Sequence, residues 1–200
     1  MKKLLLVILL LSQAVLLRAW QPRFSYGLEW GYTATFLKSS QHNFICNEGY
    51  RIIDEASAAC FYSNGAVMAF GGADLFDVLN VSFGSGVLGV YSRRWVVPLE
   101  LRAKWCPAGL RSNGFLLQAA SAVTFPTTSL HESGIRALAG VGYRIALYRN
   151  LSLDLLLSWN FTLDHENITD PDTKNSVPRW MITPNTTEYQ GVNFSVALNF

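Results

Sequence analysis

The chain is poor in charge and in cysteine, and past its first residues it has no apolar run long enough to cross a membrane as a helix. Charged residues fill 15% of its 200 positions, against roughly 25% in ordinary globular domains, which leaves little with which to build a water-facing surface. Yet 50% of the residues are hydrophobic, so the apolar material is abundant but dispersed. Three cysteines, Cys46, Cys60 and Cys106, are too few and too oddly numbered for a disulfide scaffold. One bridge at most can form. Cys46 and Cys60 lie near the ends of one expected loop, and closing it would contribute about 3 kcal/mol, with two unpaired thiols as the alternative. No metal-ligand spacing links His42, His131 and His165, and no cofactor is expected.

Lys2 and Lys3 precede an uninterrupted apolar run, Leu4 to Leu11, followed by small and polar residues. This reads as a secretory signal cleaved after Ala19, or alternatively after Ala14. The run is too short for a membrane helix, which needs roughly 20 apolar residues. Taking Lys2, Lys3 and Arg18 from the 16 basic residues leaves 13 against 14 acidic ones. A nucleic-acid partner then has no electrostatic basis.

How the apolar residues are dispersed carries the fold. From Phe24 to Phe36 every even position is apolar or aromatic, Ala34 being the smallest, while the odd positions are Ser, Gly, Glu and Thr. That period of two puts the sets on opposite faces of a strand. It returns at 151–163 and closes the chain with Val192, Phe194, Val196, Leu198 and Phe200. Five weaker segments lie between, at 61–72, 77–89, 95–105, 115–125 and 135–148. The count of eight is even. The second segment is the least defined, because Met68 and Phe70 would share the inner face with Ala66 and Gly72, and a slip of one residue inverts it. Short connections alternate with longer ones, of which 38–60 and 164–188 are the longest. This is the plan of an up-and-down transmembrane β-barrel.

Alternation alone would also suit a secreted soluble barrel carrying an apolar ligand inside. The polar set decides against that reading: it is mostly Ser, Gly, Thr, Asn and Ala with single charges, which suits a narrow interior. The apolar set ends in aromatics, with Phe24, Trp105, Phe115 and Phe200 toward one rim and Phe36, Tyr91, Phe125 and Phe161 toward the other, a pair of interfacial girdles. The expected organisation is a signal peptide over 1–19 and one all-β, eight-stranded antiparallel barrel domain over 20–200.

On these strands and on the terminal pattern ending in Phe200, the chain resembles the small outer-membrane β-barrel proteins of Gram-negative bacteria, the OmpA/OmpX-like group. The resemblance covers essentially the whole mature chain. It implies a monomer in the bacterial outer membrane, surrounded by lipid and lipopolysaccharide, with Phe194, Val196, Leu198 and Phe200 similar to the signal read by the barrel-assembly machinery. It implies no particular activity, since many functions share the architecture.

An eight-stranded barrel is just wide enough for side chains to fill. Glu29, Glu100, Arg102, Lys104, Arg144 and Asp154 all fall on its inner face, and buried charges are costly unless paired, so a cross-barrel ion-pair network is expected. Arg93 and Arg94, at an outer rim, would suit lipopolysaccharide phosphates, with a plain solvated loop as the better account. His131-Glu132-Ser133 faintly resembles the His-x-Ser-Asn motif of outer-membrane lipid A deacylases, with Gly134 in place of Asn and no acidic partner for His131. The better account of it is a polar loop. The expected function is therefore non-enzymatic, an envelope-structural or adhesive barrel whose long loops 38–60 and 164–188 bind a surface ligand, with a lipid A-modifying enzyme as the alternative.

Overall fold

The computed structural model describes residues 23–92, 94–127, 133–148, 150–165 and 167–200, so the expected leader over 1–19 lies outside it. Eight antiparallel strands follow one another: β1 (Arg23–Ile45), β2 (Arg51–Leu75), β3 (Leu79–Tyr91), β4 (Arg94–Trp105), β5 (Gly114–Pro126), β6 (Gly134–Tyr148), β7 (Leu151–Asp164) and β8 (Ile182–Asn199). They pair in chain order, and β8 pairs back onto β1 from Gly27↔Asn199 upward, closing the barrel. Strands β3 to β7 hold 12 to 15 residues. Twelve residues at about 3.3 Å each, tilted by about 40°, rise roughly 30 Å, the thickness of a hydrocarbon layer.

Each strand turns its apolar set outward. Phe24, Trp30, Phe83, Leu99, Phe115, Ile135, Trp159 and Phe194 are exposed, whereas Glu29, Thr33, Ser82, Glu100, Gln118, Ser158 and Ser195 are buried. In water that inversion would be ruinous. In lipid it is what stabilises a barrel.

The second strand shows how the interior is filled. Met68 and Phe70 point inward, paired with Glu29 and Gly27 on β1 and with Gly86 and Gly84 on β3. Phe70 is thus matched by glycine on both flanks and Met68 on the β3 side. A Cβ at Gly27 would overlap the Phe70 ring and the Leu198 carbonyl oxygen, so glycine there makes the room that Phe70 occupies.

Two expectations are corrected above the barrel. The connection 38–60 is no loop, because β1 runs on to Ile45 and β2 begins at Arg51, forming a long two-stranded hairpin. Of 164–188, the part from Ile182 is strand, paired with β1 as far as Phe44↔Ile182. Alternation fails in these segments because most of the extension is exposed to water, Phe44 being the one buried residue of β1 beyond Leu37, and a strand with no continuous buried face need not alternate. A bulge between Thr35 and Leu37 marks the transition. Tyr91 is also misplaced as a girdle residue: a register shift between Gly89 and Tyr91 goes with a position against Tyr62 and Tyr189, with ring centroids 4.2 and 5.0 Å away. Phe36 is half-buried, edge-on to Trp159 at 5.1 Å.

Gly27→Val should therefore destabilise the barrel by about 1–3 kcal/mol through overpacking, whereas Gly71→Ala, facing open space, should stay within about 0.5 kcal/mol of the parent. Urea unfolding in detergent, followed by tryptophan fluorescence, measures both.

Candidate functional site

Inward-facing side chains build three layers down the barrel. At the mouth beneath the long hairpin, Leu88, Val90, Val96 and Tyr189 form a buried apolar cluster against which Tyr91 packs. Lys38 lies over the Tyr91 and Tyr189 rings, at 5.0 and 5.7 Å from their centroids.

Below it lies the ionic layer. Arg102 pairs with Glu29 across the barrel and with Glu100 on its own strand at 2.6 Å; Arg136 reaches Glu100 at 3.1 Å and Asn160 at 2.5 Å. Two cations thus face two carboxylates. Lower still, Lys104 and Arg144 both bind Asp154, at 2.8 and 2.6 Å, and Lys104 also reaches Asn199 at 3.3 Å. The Phe70 ring joins the two ionic groups, 5.1 Å from the Arg102 guanidinium carbon and 4.8 Å from Lys104 Nζ. That contact gives the inward turn of Phe70 an electrostatic return as well as a steric one.

All six residues read from the sequence as lumen charges meet in these two groups. Arg136 was missed, although its even position on β6 matches that of Arg144. Arg94 is neither in a solvated loop nor a lipopolysaccharide contact. Its side chain is nearly buried and donates to Asp164 at 2.7 Å, because position 94 shares the inward parity of Val96 and Pro98 on β4. Arg93 lies outside the described residues.

Of the two readings open for Cys46 and Cys60, the unpaired one holds: both thiols are free. In the hairpin register Cys46 lies just past Ile45↔Arg51, whereas Cys60 follows Ala59↔Leu37. Some nine residue steps, roughly 30 Å, separate them. Of the deacylase-like triplet, His131 and Glu132 lie outside the described residues and Ser133 is exposed. Phe194, Val196, Leu198 and Phe200 stand along the outer face of β8, with Phe194 and Phe200 the most exposed.

The extension above the barrel has its own packing. Phe44, Ile168 and Val177 form a buried cluster with Ile52, Met181 and Ile182 against it, so the 165–181 connection is seated on the hairpin. Asp170, fully buried, holds it there. Its carboxylate accepts the backbone N–H of Asn47 at 2.7 Å, of Asp172 at 2.9 Å and of Thr173 at 3.1 Å. These bonds, the Asn47 N–H foremost, hold the Asp170 carboxyl below its ordinary range. Asn47 Nδ2 donates to Thr173 Oγ1 at 2.9 Å. The Tyr50 hydroxyl donates to the Asp172 carboxylate, which pushes the phenol well above its usual range. Nothing in the sequence period pointed to Asp170, since its role depends on a long-range contact.

No protein-family model matches the chain, and neither does any curated protein sequence. Among solved structures it is similar to Neisserial surface protein A, at 10% identity over 86% of this chain and 96% of that one, with a TM-score of 0.47. It is also similar to the outer membrane protein OprG from Pseudomonas aeruginosa, at 9% identity over 90% and 97%, with a TM-score of 0.49. Neither likeness says anything about activity. The barrel's own faces, apolar outside and charged within, make it a transmembrane β-barrel.

Two outcomes test the ionic layer and the surface latch. Arg102→Met strands Glu29 and should cost about 3–5 kcal/mol, with part of the loss recovered when Glu29→Met is added; urea unfolding of the single and double variants decides. For Asp170, a folded-state pKa below the unfolded value of about 3.9 means that its contribution is present above that value and lost as pH falls through the folded-state pKa. Asp170→Asn should give the latch-free state at neutral pH, read as faster hydrogen exchange at the Asn47 amide with the barrel amides unchanged.

Proposed function

We propose that the chain is a non-enzymatic protein of the bacterial outer membrane whose barrel anchors a surface-binding platform. The observation that carries this reading is the extension of β1, β2 and β8 beyond the barrel, capped by the 165–181 connection through its own apolar cluster and the Asp170 bonds. Short turns mark the periplasmic end of such barrels and the longer connections face outward, so the platform stands on the cell surface. The ten or so extra residues of β1 and β2 raise it roughly 25 Å above the hydrocarbon layer. A pre-ordered surface loses less entropy on binding than a loose loop does. Adhesion, or capture of an extracellular ligand, is the role this geometry favours over transport, which the packed mouth and ionic layers oppose.

The contacts made by the described histidines support the non-enzymatic reading. His165 Nδ1 lies 2.5 Å from the Asn185 carbonyl, and His42 Nε2 lies 3.4 Å from the Thr187 hydroxyl, which is fully buried and out of reach of a substrate. Phe194, Val196, Leu198 and Phe200 serve as the signal for the assembly machinery. The working unit is a monomer set among lipid and lipopolysaccharide.

Replacing residues 40–57 by a two-residue Asn-Gly turn tests the platform. The truncated protein should still reach the outer membrane and fold, while binding of expressing cells to matrix or serum proteins falls to the level of cells lacking it. Unchanged binding would sink the platform reading. A change in lipid A acylation that Ser133→Ala abolishes would revive the enzyme.

A further inference from the structure

We propose that the open edge of β2 pairs antiparallel with the same edge of a second copy of this chain, carried by an apposed membrane, so that the platform recognises another platform. This rests on the surface-platform reading above and names its partner. Beyond the barrel, β1 is the one partner of residues 51–63 among the described residues, because β3 takes up the other edge of β2 only from Ala66. At the tip of that edge Arg51, Ile53, Asp54 and Glu55 are exposed, Ile53 by 65%. Such an edge offers unpaired backbone N–H and C=O groups, and its charges turn away any strand that does not match them. The run Arg51-Ile52-Ile53-Asp54-Glu55 matches itself when laid antiparallel.

The register follows from symmetry. Two identical edges pair antiparallel about a two-fold axis, and residues directly opposite one another share a face. Neighbouring residues point to opposite faces, so the axis must pass a residue that meets its own copy. With the axis at Ile53, Arg51 of each copy stands opposite Glu55 of the other, and the two exposed Ile53 side chains meet between these pairs on the same face. Gln41 Nε2 donates to Glu55 Oε1 at 2.8 Å and steadies that carboxylate. The hairpin turn of the second copy, residues 46–50, then lies along Ala56, Ser57, Ala58 and Ala59, whose small side chains leave it clearance. An axis at Asp54 or Glu55 would set two carboxylates against each other, which is unfavourable. An axis nearer the barrel would drive the turn against the end of β3 that holds the edge from Ala66.

The same axis decides where the second copy stands. It is normal to the barrel wall and so lies in the plane of the membrane, and rotation about it points the two barrels in opposite directions. Copies within one membrane share a direction, so the partner comes from an apposed membrane and the chain stays a monomer within its own. Five residues from each side bury far less than the roughly 1,200 Å² of a stable interface. A single pair is therefore weak, and the contact gains strength when many copies face one another across two membranes.

The test uses two populations of phosphatidylcholine vesicles, each carrying the refolded protein and a different dye, with clustering followed by two-colour fluorescence cross-correlation. The wild-type protein should cluster vesicles well above the level of protein-free ones. Arg51→Glu and Glu55→Arg each set like charges opposite one another at both ends of the pair, and each alone should slow clustering at least about tenfold. Mixing vesicles of one variant with vesicles of the other brings opposite signs face to face again and should restore clustering to near the wild-type rate. A folding defect would not be rescued by mixing. Wild-type vesicles that stay dispersed, a variant that clusters alone at the wild-type rate, or a mixture that fails to recover overturns self-pairing. None of these outcomes touches the platform reading, which stands or falls on matrix and serum binding after the 40–57 replacement.

Discussion

A backbone amide inside a bilayer finds no water to bond to, and that constraint organises everything else in this molecule. It forces β8 back onto β1 so that no strand edge faces lipid over the barrel. Once the ring is closed, the alternation along each strand has only one tolerable sense. Apolar side chains must go out, and every polar group the strands carry must go in. The interior therefore inherits charge whether or not charge stabilises it. Glu29, Glu100, Arg102, Arg136, Lys104, Arg144 and Asp154 are held in a space too narrow for each to keep its own hydration.

Pairing is the remedy, and it differs between the layers. The Glu29, Glu100, Arg102 and Arg136 group closes on itself, whereas the Lys104, Arg144 and Asp154 group does not. The second carboxylate near it is Asp74, which lines the solvent-open end of the barrel and acts electrostatically on Arg144. Volume is handled by the same neighbours. Phe70 fills the space left by Gly27 and Gly84 and lies against two cations at once, so one aromatic side chain serves as both spacer and electrostatic bridge.

Where the lipid constraint acts, the sequence was readable. The eight strands, their facing and six of the lumen charges follow from period-two alternation, and even the weakly patterned second strand takes the face given by Met68 and Phe70. Arg136 was equally readable by parity. What the sequence hid lies where the constraint stops. Residues 38–60 have no continuous buried face to enforce alternation, so a hairpin looked like a loop. The bulge at Thr35/Leu37 and the register shift at Gly89/Tyr91 reset the parity and redirected Tyr91. Asp170 owes its role to Asn47, 123 positions away, and no local pattern reports such a contact. The spacing of Cys46 and Cys60 suggested proximity only as long as the chain between them was taken to be slack.

The same boundary marks where the proposed platform begins. Strand β3 pairs with β2 only from Ala66 to Leu75, and β1 is the one partner of residues 51–63 among the described residues. Within the bilayer such a half-paired strand would carry a row of unsatisfied amides. Above it, water satisfies them and the open edge is affordable. Over residues 51–59 that edge is small at Ala56, Ser57, Ala58 and Ala59 and has no lysine or proline, so Arg51, Asp54 and Glu55, with the bulge opposite Thr35 and Leu37 at its base, are what guard it against pairing with other chains. Extending β1, β2 and β8 past the membrane thus gives up the closure that stabilises the barrel, and what it gains is a rigid surface with backbone groups left open to the outside. The barrel's contribution is to hold that surface still.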